Sequence, residues 1–206
     1  MKLTFTDYDR IKETMSKLHS RVIADLPRYL SKEIYAAIPA NRHSNEILSA
    51  IAEFLCYTEV HNGKNRFELY LSRHGHKLDP FEKELLTRIA QAQYRLYKFK
   101  EKTEEPHCVS ITDILENRLF LVKDVVGAPV LAAAPPDQFS AAFFVDCDQF
   151  LYAIRSHCFL VAFLNAPELA GPIEEFHSAQ DAAQQRVAQR KMASVIDHQI
   201  RAGYSK

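Results

Sequence analysis

The change of hydrophobic period near residue 94 is the feature that most constrains the fold of this chain. Before it, apolar residues recur at steps of three or four, as on one face of a helix, first at Ile11, Met15, Leu18, Val22 and Leu26. From there "YRLYKFKEK" alternates, with Tyr97 and Phe99 on one face and lysines on the other. The sequence therefore predicts a helical region followed by a sheet.

Several signals mark where the N-terminal helices begin and end. The clearest start is "LDPFEKELLTRIAQAQY", where Asp79 can cap, Pro80 takes the first helical position and Glu82 the third. The first helix is expected to begin at Thr6 or Asp7, and a second around Ile47 and Phe54 with Ser44 as its cap. A short helix from about residue 67 to 74 is predicted to end at Gly75 with a left-handed backbone. "HNGKN" at 61–65 predicts a tight turn.

Short β-type runs follow residue 94, separated by turn-like segments. They are "CVSI", "LFLVKD", "APVLAA", "SAAFFVD", "FLYAI" and "CFLVAFL". Their spacing favours antiparallel hairpins in a small barrel or curled sheet. The fold class is therefore α+β: a helical region at 1–93, a mostly antiparallel β-module at 94–165, and C-terminal helices at 166–206. The last helix should carry a narrow apolar stripe at Met192, Val195, Ile196 and Ile200.

Residues 78–124 resemble a pattern in bacterial proteins of the SEC-C-associated kind. In those proteins a helix that begins at Leu-Asp is followed by strands with an Asp-Leu-Leu turn and a short strand ending in Asp. The corresponding positions here are Leu78, Asp79, Asp113, Ile114, Leu115 and Asp124. The resemblance implies an architecture and no reaction. The cysteine-rich zinc segment of those proteins is absent from this sequence, so no metal function is implied.

Composition indicates a globular chain with a reducing, cytoplasmic location. Of 206 residues, 47% are hydrophobic and 25% charged, enough to bury a core. No run reaches the eighteen or so apolar residues of a spanning helix, and the first residues are charged, so neither a membrane segment nor a signal peptide is predicted. The cysteines lack CxxC spacing and are expected to be reduced, buried thiols: Cys56, Cys108, Cys147 and Cys158.

Two motifs invite a catalytic interpretation. "FFVDCDQFLY" places Asp146 and Asp148 after a hydrophobic strand, as in phosphatases and glycosyltransferases that hold Mg²⁺ or Mn²⁺ between carboxylates. The apparently antiparallel context instead favours a strand and a turn in which the aspartates accept local backbone hydrogen bonds.

The second motif is "LYLSRHGHKLDP", which resembles that of the histidine phosphatases, with His74 as nucleophile and Arg73 as phosphate clamp. Its position favours a helix end, where cations complement the negative dipole.

The sequence predicts no cofactor. The pairs His74-x-His76, His107-Cys108 and His157-Cys158, with Cys147, lack the spacing of a zinc finger or ribbon. GxGxxG, P-loop and HExxH motifs are absent, and five glycines offer little for a phosphate cradle.

The favoured function is binding without catalysis; the alternatives are a divalent-metal-dependent hydrolase or transferase using Asp146 and Asp148, or a nucleic-acid-binding protein. The last follows from the basic N-terminal half, where residues 1–100 hold 17 Lys and Arg against 12 Asp and Glu. Its surface would gather Arg66, Arg73, Lys77, Arg88 and Arg95. The C-terminal helix, with basic residues beside its stripe, could bind a protein partner or a second copy of the chain.

Overall fold

A computed structural model describes residues 2–29, 32, 52, 54–58, 61–123, 139–154, 159–161 and 167–204. The predicted strand at 128–133 lies outside these residues, as do most of the predicted helix around Ile47, Asp124 and Cys158. Two compact units are present: Thr6–Gln91 with Ile196–Lys206, and Lys2–Phe5 with Ala92–Val195. The α+β fold class is confirmed, and the division into three regions stays a prediction.

Helix α1 spans Tyr8–Ala24 and follows a 3-10 turn at Phe5–Asp7. Its buried side contains Tyr8, Ile11, Met15, Leu18, His19 and Val22, which confirms the predicted stripe up to Val22. Asp7 stands at the N-cap, as predicted, but its backbone is helical and its side chain makes no capping hydrogen bond. The 3-10 turn leads directly into the helix, so Asp7 lacks the extended backbone that allows a cap side chain to accept a hydrogen bond from an N–H of the first turn.

Helices α2 (Arg66–His74) and α3 (Pro80–Ala90) each begin with a reciprocal capping box. The Glu82 N–H donates to Asp79 Oδ1 at 2.8 Å, which confirms the predicted cap. The Glu68 N–H donates in the same way to Asn65 Oδ1 at 2.9 Å. Each box satisfies helix N–H groups that otherwise lack an acceptor.

The left-handed backbone predicted at Gly75 was wrong. Gly75 has φ −58° and ψ −23°, and the chain continues into a 3-10 turn at Gly75–Lys77. A Cβ there would lie 3.3 Å from Leu71 Cδ1, so the glycine permits close packing onto the preceding helical turn. Left-handed backbone occurs instead at Asn62 (φ 52°) and Gly63 (φ 76°), in the predicted turn. Two successive positive φ angles are typical of a type I′ turn.

Within the described residues, the strands form a closed five-stranded barrel with a sixth strand added. They are β1 (Gln93–Lys102), β2 (Cys108–Asp113), β3 (Leu119–Lys123), β4 (Phe139–Asp146), β5 (Leu151–Ala153) and β6 (Phe159–Val161). The order is β1-β2-β3-β5-β4, and β4 pairs back with β1 to close the barrel. Every pair is antiparallel except β3 with β5, joined at Val122 and Leu151. β6 pairs with β4.

The barrel interior is filled by apolar side chains from all five strands: Tyr97, Val109, Ile111, Val122, Ala142, Phe144, Leu151 and Ala153. The rings of Tyr97 and Phe144 meet edge to face, with centroids 5.1 Å apart. The predicted alternation holds at Tyr97, Lys98 and Phe99, but residues 94–97 are all buried, so the first half of β1 is covered on both faces.

Helices α4 (Pro167–Ser178) and α5 (Ala182–Tyr204) follow the sheet. Met192 is fully buried on α5, as predicted, together with Ala188, Gln189 and Ala193. Val195 is half-buried, and the side chains of Ile196 and Ile200 lie outside the described part. None of the helices in the described residues is long and apolar enough to cross a membrane.

Candidate binding surface on the barrel

Asp146 and Asp148 lie in the turn between β4 and β5. Asp146 ends β4, and its Oδ1 accepts the N–H of Asp148 at 2.9 Å. Asp148 has φ 60°, a left-handed backbone that Asp tolerates better than most residues. The predicted strand and turn are confirmed, including a local backbone hydrogen bond accepted by an aspartate.

The same turn holds the N-terminal segment of the chain. Asp148 Oδ2 accepts the N–H of Leu3 at 2.7 Å, and Gln149 Oε1 accepts the N–H of Phe5 at 3.0 Å. The Phe5 ring stacks on Phe150, with centroids 5.1 Å apart. Leu3 is fully buried. The turn therefore fixes residues 2–5, and this is what the Asp148 carboxylate does in the structure.

Arg73 and His74 end helix α2, as the sequence predicted. Arg73 Nη2 lies 2.7 Å from Asp25 Oδ2, and His74 Nε2 lies 3.7 Å from the other oxygen of that carboxylate. Arg73 also donates from Nε to the Leu69 carbonyl at 3.3 Å. Both candidate phosphatase residues thus share one aspartate.

Most of the arginines predicted to form a nucleic-acid surface are already engaged. Arg66 is buried and donates to the Tyr29 hydroxyl at 2.9 Å. Arg88 pairs with Glu84 at 2.8 Å, and Arg95 is buried against Asp113. Arg73 is exposed but held by Asp25, and Lys77 is exposed as well. These contacts leave that set little free positive charge.

A buried ion pair inside the barrel has no counterpart among the sequence predictions. Arg95 is 6% exposed and Asp113 is 1% exposed, with Nη1 and Oδ2 2.7 Å apart. Asp113 Oδ1 accepts the N–H groups of Leu115 and Glu116, and the Arg95 guanidinium lies 4.2 Å over the Phe120 ring. The sequence could have predicted that Arg95 faces inward, because Arg95, Tyr97 and Phe99 are alternate residues of one strand and therefore share a face.

His19 is buried in the helical unit as a neutral imidazole. Nδ1 donates to the Met15 carbonyl at 2.8 Å, and Nε2 accepts the Tyr57 hydroxyl at 2.7 Å. Burial lowers the pKa of His19 from its ordinary 6.5 to about 4, while the hydrogen bond to Met15 raises it slightly.

The cysteines in the described residues are buried and form no disulfide bond: Cys56, Cys108 and Cys147. This confirms the prediction for those three. Burial raises the pKa of the Cys108 thiol, against the opposing effect of its hydrogen bond with Thr103. Within the described ranges, no group of three or more His, Cys, Asp or Glu side chains is placed to hold a metal ion.

The outer face of β3 and the turn before it expose large apolar side chains. Leu119 is 62% exposed and Leu121 41%, while the alternate residue Val122 fills the interior. Ile114, in the turn after β2, is 41% exposed. Three apolar side chains therefore remain open to water at one part of the barrel.

The strand register places a lysine in the same row as the first of these leucines. Lys98 pairs with Thr112, and Thr112 pairs with Leu119, so the three lie side by side across the sheet. Lys100 follows at the β-bulge of β1 and is exposed. We call the surface formed by Lys98, Lys100, Thr112, Leu119 and Leu121 the leucine–lysine face.

Fold and surface together define an α+β protein built on a mixed five-stranded barrel. Its strands run in the order β1-β2-β3-β5-β4, closed by β1. The chain belongs to the family of unknown function DUF7986, whose model matches residues 3–127, more than half of its length. No curated protein and no solved structure matches the chain. The resemblance to SEC-C-associated proteins stays a prediction.

Proposed function

We propose that this protein is a non-enzymatic binding module and that the leucine–lysine face is its contact surface. The observation that carries the proposal is the exposure of Leu119 and Leu121, 62% and 41%, on one face of a strand. Single exposed apolar residues are normal on protein surfaces, but neighbouring ones leave apolar area that a partner can remove from water. Aliphatic side chains on a rigid sheet also lose little conformational freedom when a partner covers them.

The position of the surface on the fold supports the same proposal. The barrel resembles the five-stranded oligonucleotide- and oligosaccharide-binding fold, in which the face of the second and third strands is a common place for ligands. Leu119, Leu121 and Thr112 lie on the corresponding strands here. Fold alone does not define function, so the argument depends on the side chains that this chain exposes there.

The metal-dependent hydrolase or transferase remains the enzymatic alternative. Its candidates, Asp146 and Asp148, already accept backbone hydrogen bonds, and Asp148 fixes the N-terminal segment. A metal would compete with these donors for the carboxylate oxygens. A rise in unfolding temperature with Mg²⁺ or Mn²⁺ that Asp146→Asn removes would favour this alternative over the binding module.

Nucleic-acid binding is the second alternative, favoured by the barrel connectivity. Single strands bind such barrels mainly through a basic groove and aromatic rings that stack on bases. The pairs of β2 and β3 on this side of the sheet are Cys108 with Lys123, Ser110 with Leu121 and Thr112 with Leu119. Cys108 and Ser110 are buried, and none of the six residues carries a ring. The chemistry of this face therefore fits a protein better than an oligonucleotide.

Affinity purification with matched variants tests the proposal. The tagged chain would be compared with Leu119→Ser/Leu121→Ser and with Val187→Ser, which removes another exposed apolar side chain (49%) from helix α5. We expect co-purifying proteins to be lost with the double variant and retained with the control. Equal recovery with all three folded proteins, verified by circular dichroism, would contradict the proposal.

A further inference from the structure

The leucine–lysine face has the charge pattern of a receptor for acidic peptides. Lys98 and Lys100 are exposed, and the residues that the structure describes form no ion pair with either. Arg118, just before β3, is 68% exposed but lies 3.5 Å from Glu116, so that pair contributes little net charge. The two lysines therefore supply the positive charge of this face.

The acidic residues nearby leave this charge largely uncompensated. Glu105 pairs with Lys123 at 2.6 Å, so that pair contributes no net charge. Glu101 on β1 is exposed and lies in the same cross-strand row as Leu121. The row that contains Leu119 has Lys98 at that position on β1 instead. An acidic group is therefore favoured beside Leu119 and disfavoured beside Leu121.

We propose that this face binds a peptide segment in which an apolar residue and an acidic residue stand about three positions apart. The inference rests on the proposed binding function and names its partner. Adjacent strands are about 4.8 Å apart, so Lys98 lies roughly 10 Å from Leu119 across β2. An extended peptide advances about 3.3 Å per residue and covers that distance in about three residues.

The same geometry argues against a single-stranded nucleic acid as the occupant. The nearest ring on β3 is Phe120, which packs with the interior cluster and is covered by the guanidinium groups of Arg95 at 4.2 Å and Arg118 at 5.1 Å. It is not presented for stacking. Exposed leucines between lysines instead match apolar and carboxylate side chains of a peptide.

Fluorescence anisotropy with labelled synthetic peptides tests the inference. The probe is an extended peptide of about ten residues with Leu and Asp three positions apart. Its controls replace every Asp with Lys, or every Leu with Ser, and an oligothymidylate represents nucleic acid. We expect the Leu/Asp peptide to bind at least about tenfold more tightly than either control peptide, and its affinity to fall between about 50 mM and about 300 mM salt.

Charge-reversed variants assign the binding to this face. Lys98→Glu/Lys100→Glu should weaken binding of the Leu/Asp peptide by about tenfold and strengthen binding of the Leu/Lys peptide. Lys77→Glu/Lys83→Glu makes the same charge change on exposed residues outside the barrel and should alter neither. Reversal of peptide preference cannot result from misfolding, so it separates a binding role from a structural one.

Several outcomes would overturn the inference. The first is that the oligothymidylate binds more tightly than the Leu/Asp peptide and that Lys98→Glu/Lys100→Glu abolishes this binding. The second is equal affinity for all peptides. The third is peptide binding that the charge-reversed variants leave unchanged. If no peptide binds while Leu119→Ser/Leu121→Ser still loses its co-purifying proteins, the partner class is wrong and the proposed function stands. If that variant also retains them, both fail.

Discussion

At the scale of single residues, Arg95 and Asp113 show how a charge is accommodated inside a small barrel. The guanidinium lies between the Asp113 carboxylate at 2.7 Å and the Phe120 ring at 4.2 Å. Asp113 in turn accepts two N–H groups of the β2–β3 turn. Each group compensates the burial of the other, which makes loss of one partner worse than loss of both.

We predict that Arg95→Met and Asp113→Asn each destabilise the fold by about 3 kcal/mol, because each leaves a buried charge without its nearest partner of opposite charge. The double variant should lose clearly less than the sum of the two. Arg118→Met, which removes an exposed cation 3.5 Å from Glu116, should cost under about 1 kcal/mol and serves as the control. Urea unfolding of the unmodified protein, the two single variants and the double variant gives the coupling energy, and strictly additive losses would show that the pair is not coupled.

At the scale of elements, local patterns predicted positions but not pairings. Apolar runs bounded by turns located β2 to β6 because each run is short and self-contained. The parallel pair of β3 with β5 depends on barrel closure between distant segments, which no local pattern encodes. In "LFLVKD" every early residue is apolar, so the sequence could not show that Leu119 and Leu121 face outward while Val122 faces inward.

Two contacts, the capping box of α2 and the docking of the N-terminal segment, were not predicted, for different reasons. The capping box at Asn65 follows the same rule as the one at Asp79, and "NRFE" carries the required spacing. That helix start was therefore predictable. The docking of residues 2–5 joins Leu3 to Asp148 across the length of the chain, and no local rule anticipates such a contact.

The N-terminal segment should loosen when the acceptor on the β4–β5 turn is removed. Asp148→Gly keeps the left-handed backbone at φ 60° but deletes the oxygen that accepts the Leu3 N–H. We expect the Leu3 amide to exchange with solvent at least about tenfold faster, corresponding to about 1.4 kcal/mol of local opening. Asp148→Asn retains an acceptor and should restore protection. Unchanged exchange of Leu3 in the glycine variant would show that its burial alone holds the segment.

At the scale of the whole molecule, the free energy of unfolding depends on pH through the groups that bind protons as the pH falls. The chain has 26 basic and 26 acidic residues and nine histidines. The exposed ion pairs contribute little each to stability because solvent screens them. His19 differs, since it is buried between Met15 and Tyr57 and its pKa is lowered to about 4. Its neutral form is part of the folded state.

Stability should therefore decline as pH falls from about 6.5 to about 4, since in that interval the unfolded chain binds a proton at His19 that the folded chain excludes. The contribution is complete above pH 6.5, and its loss approaches about 3 kcal/mol at the lower end. His19→Gln removes the titration, so its free energy of unfolding should vary less between pH 7 and pH 5 than that of the unmodified protein, as measured by urea unfolding at both values.

The variant starts from a lower stability at pH 7, because the imidazole's paired hydrogen bonds are changed, and only the difference in slope bears on the prediction. Equal slopes for the two proteins would mean that His19 is protonated, or open to water, in the folded state.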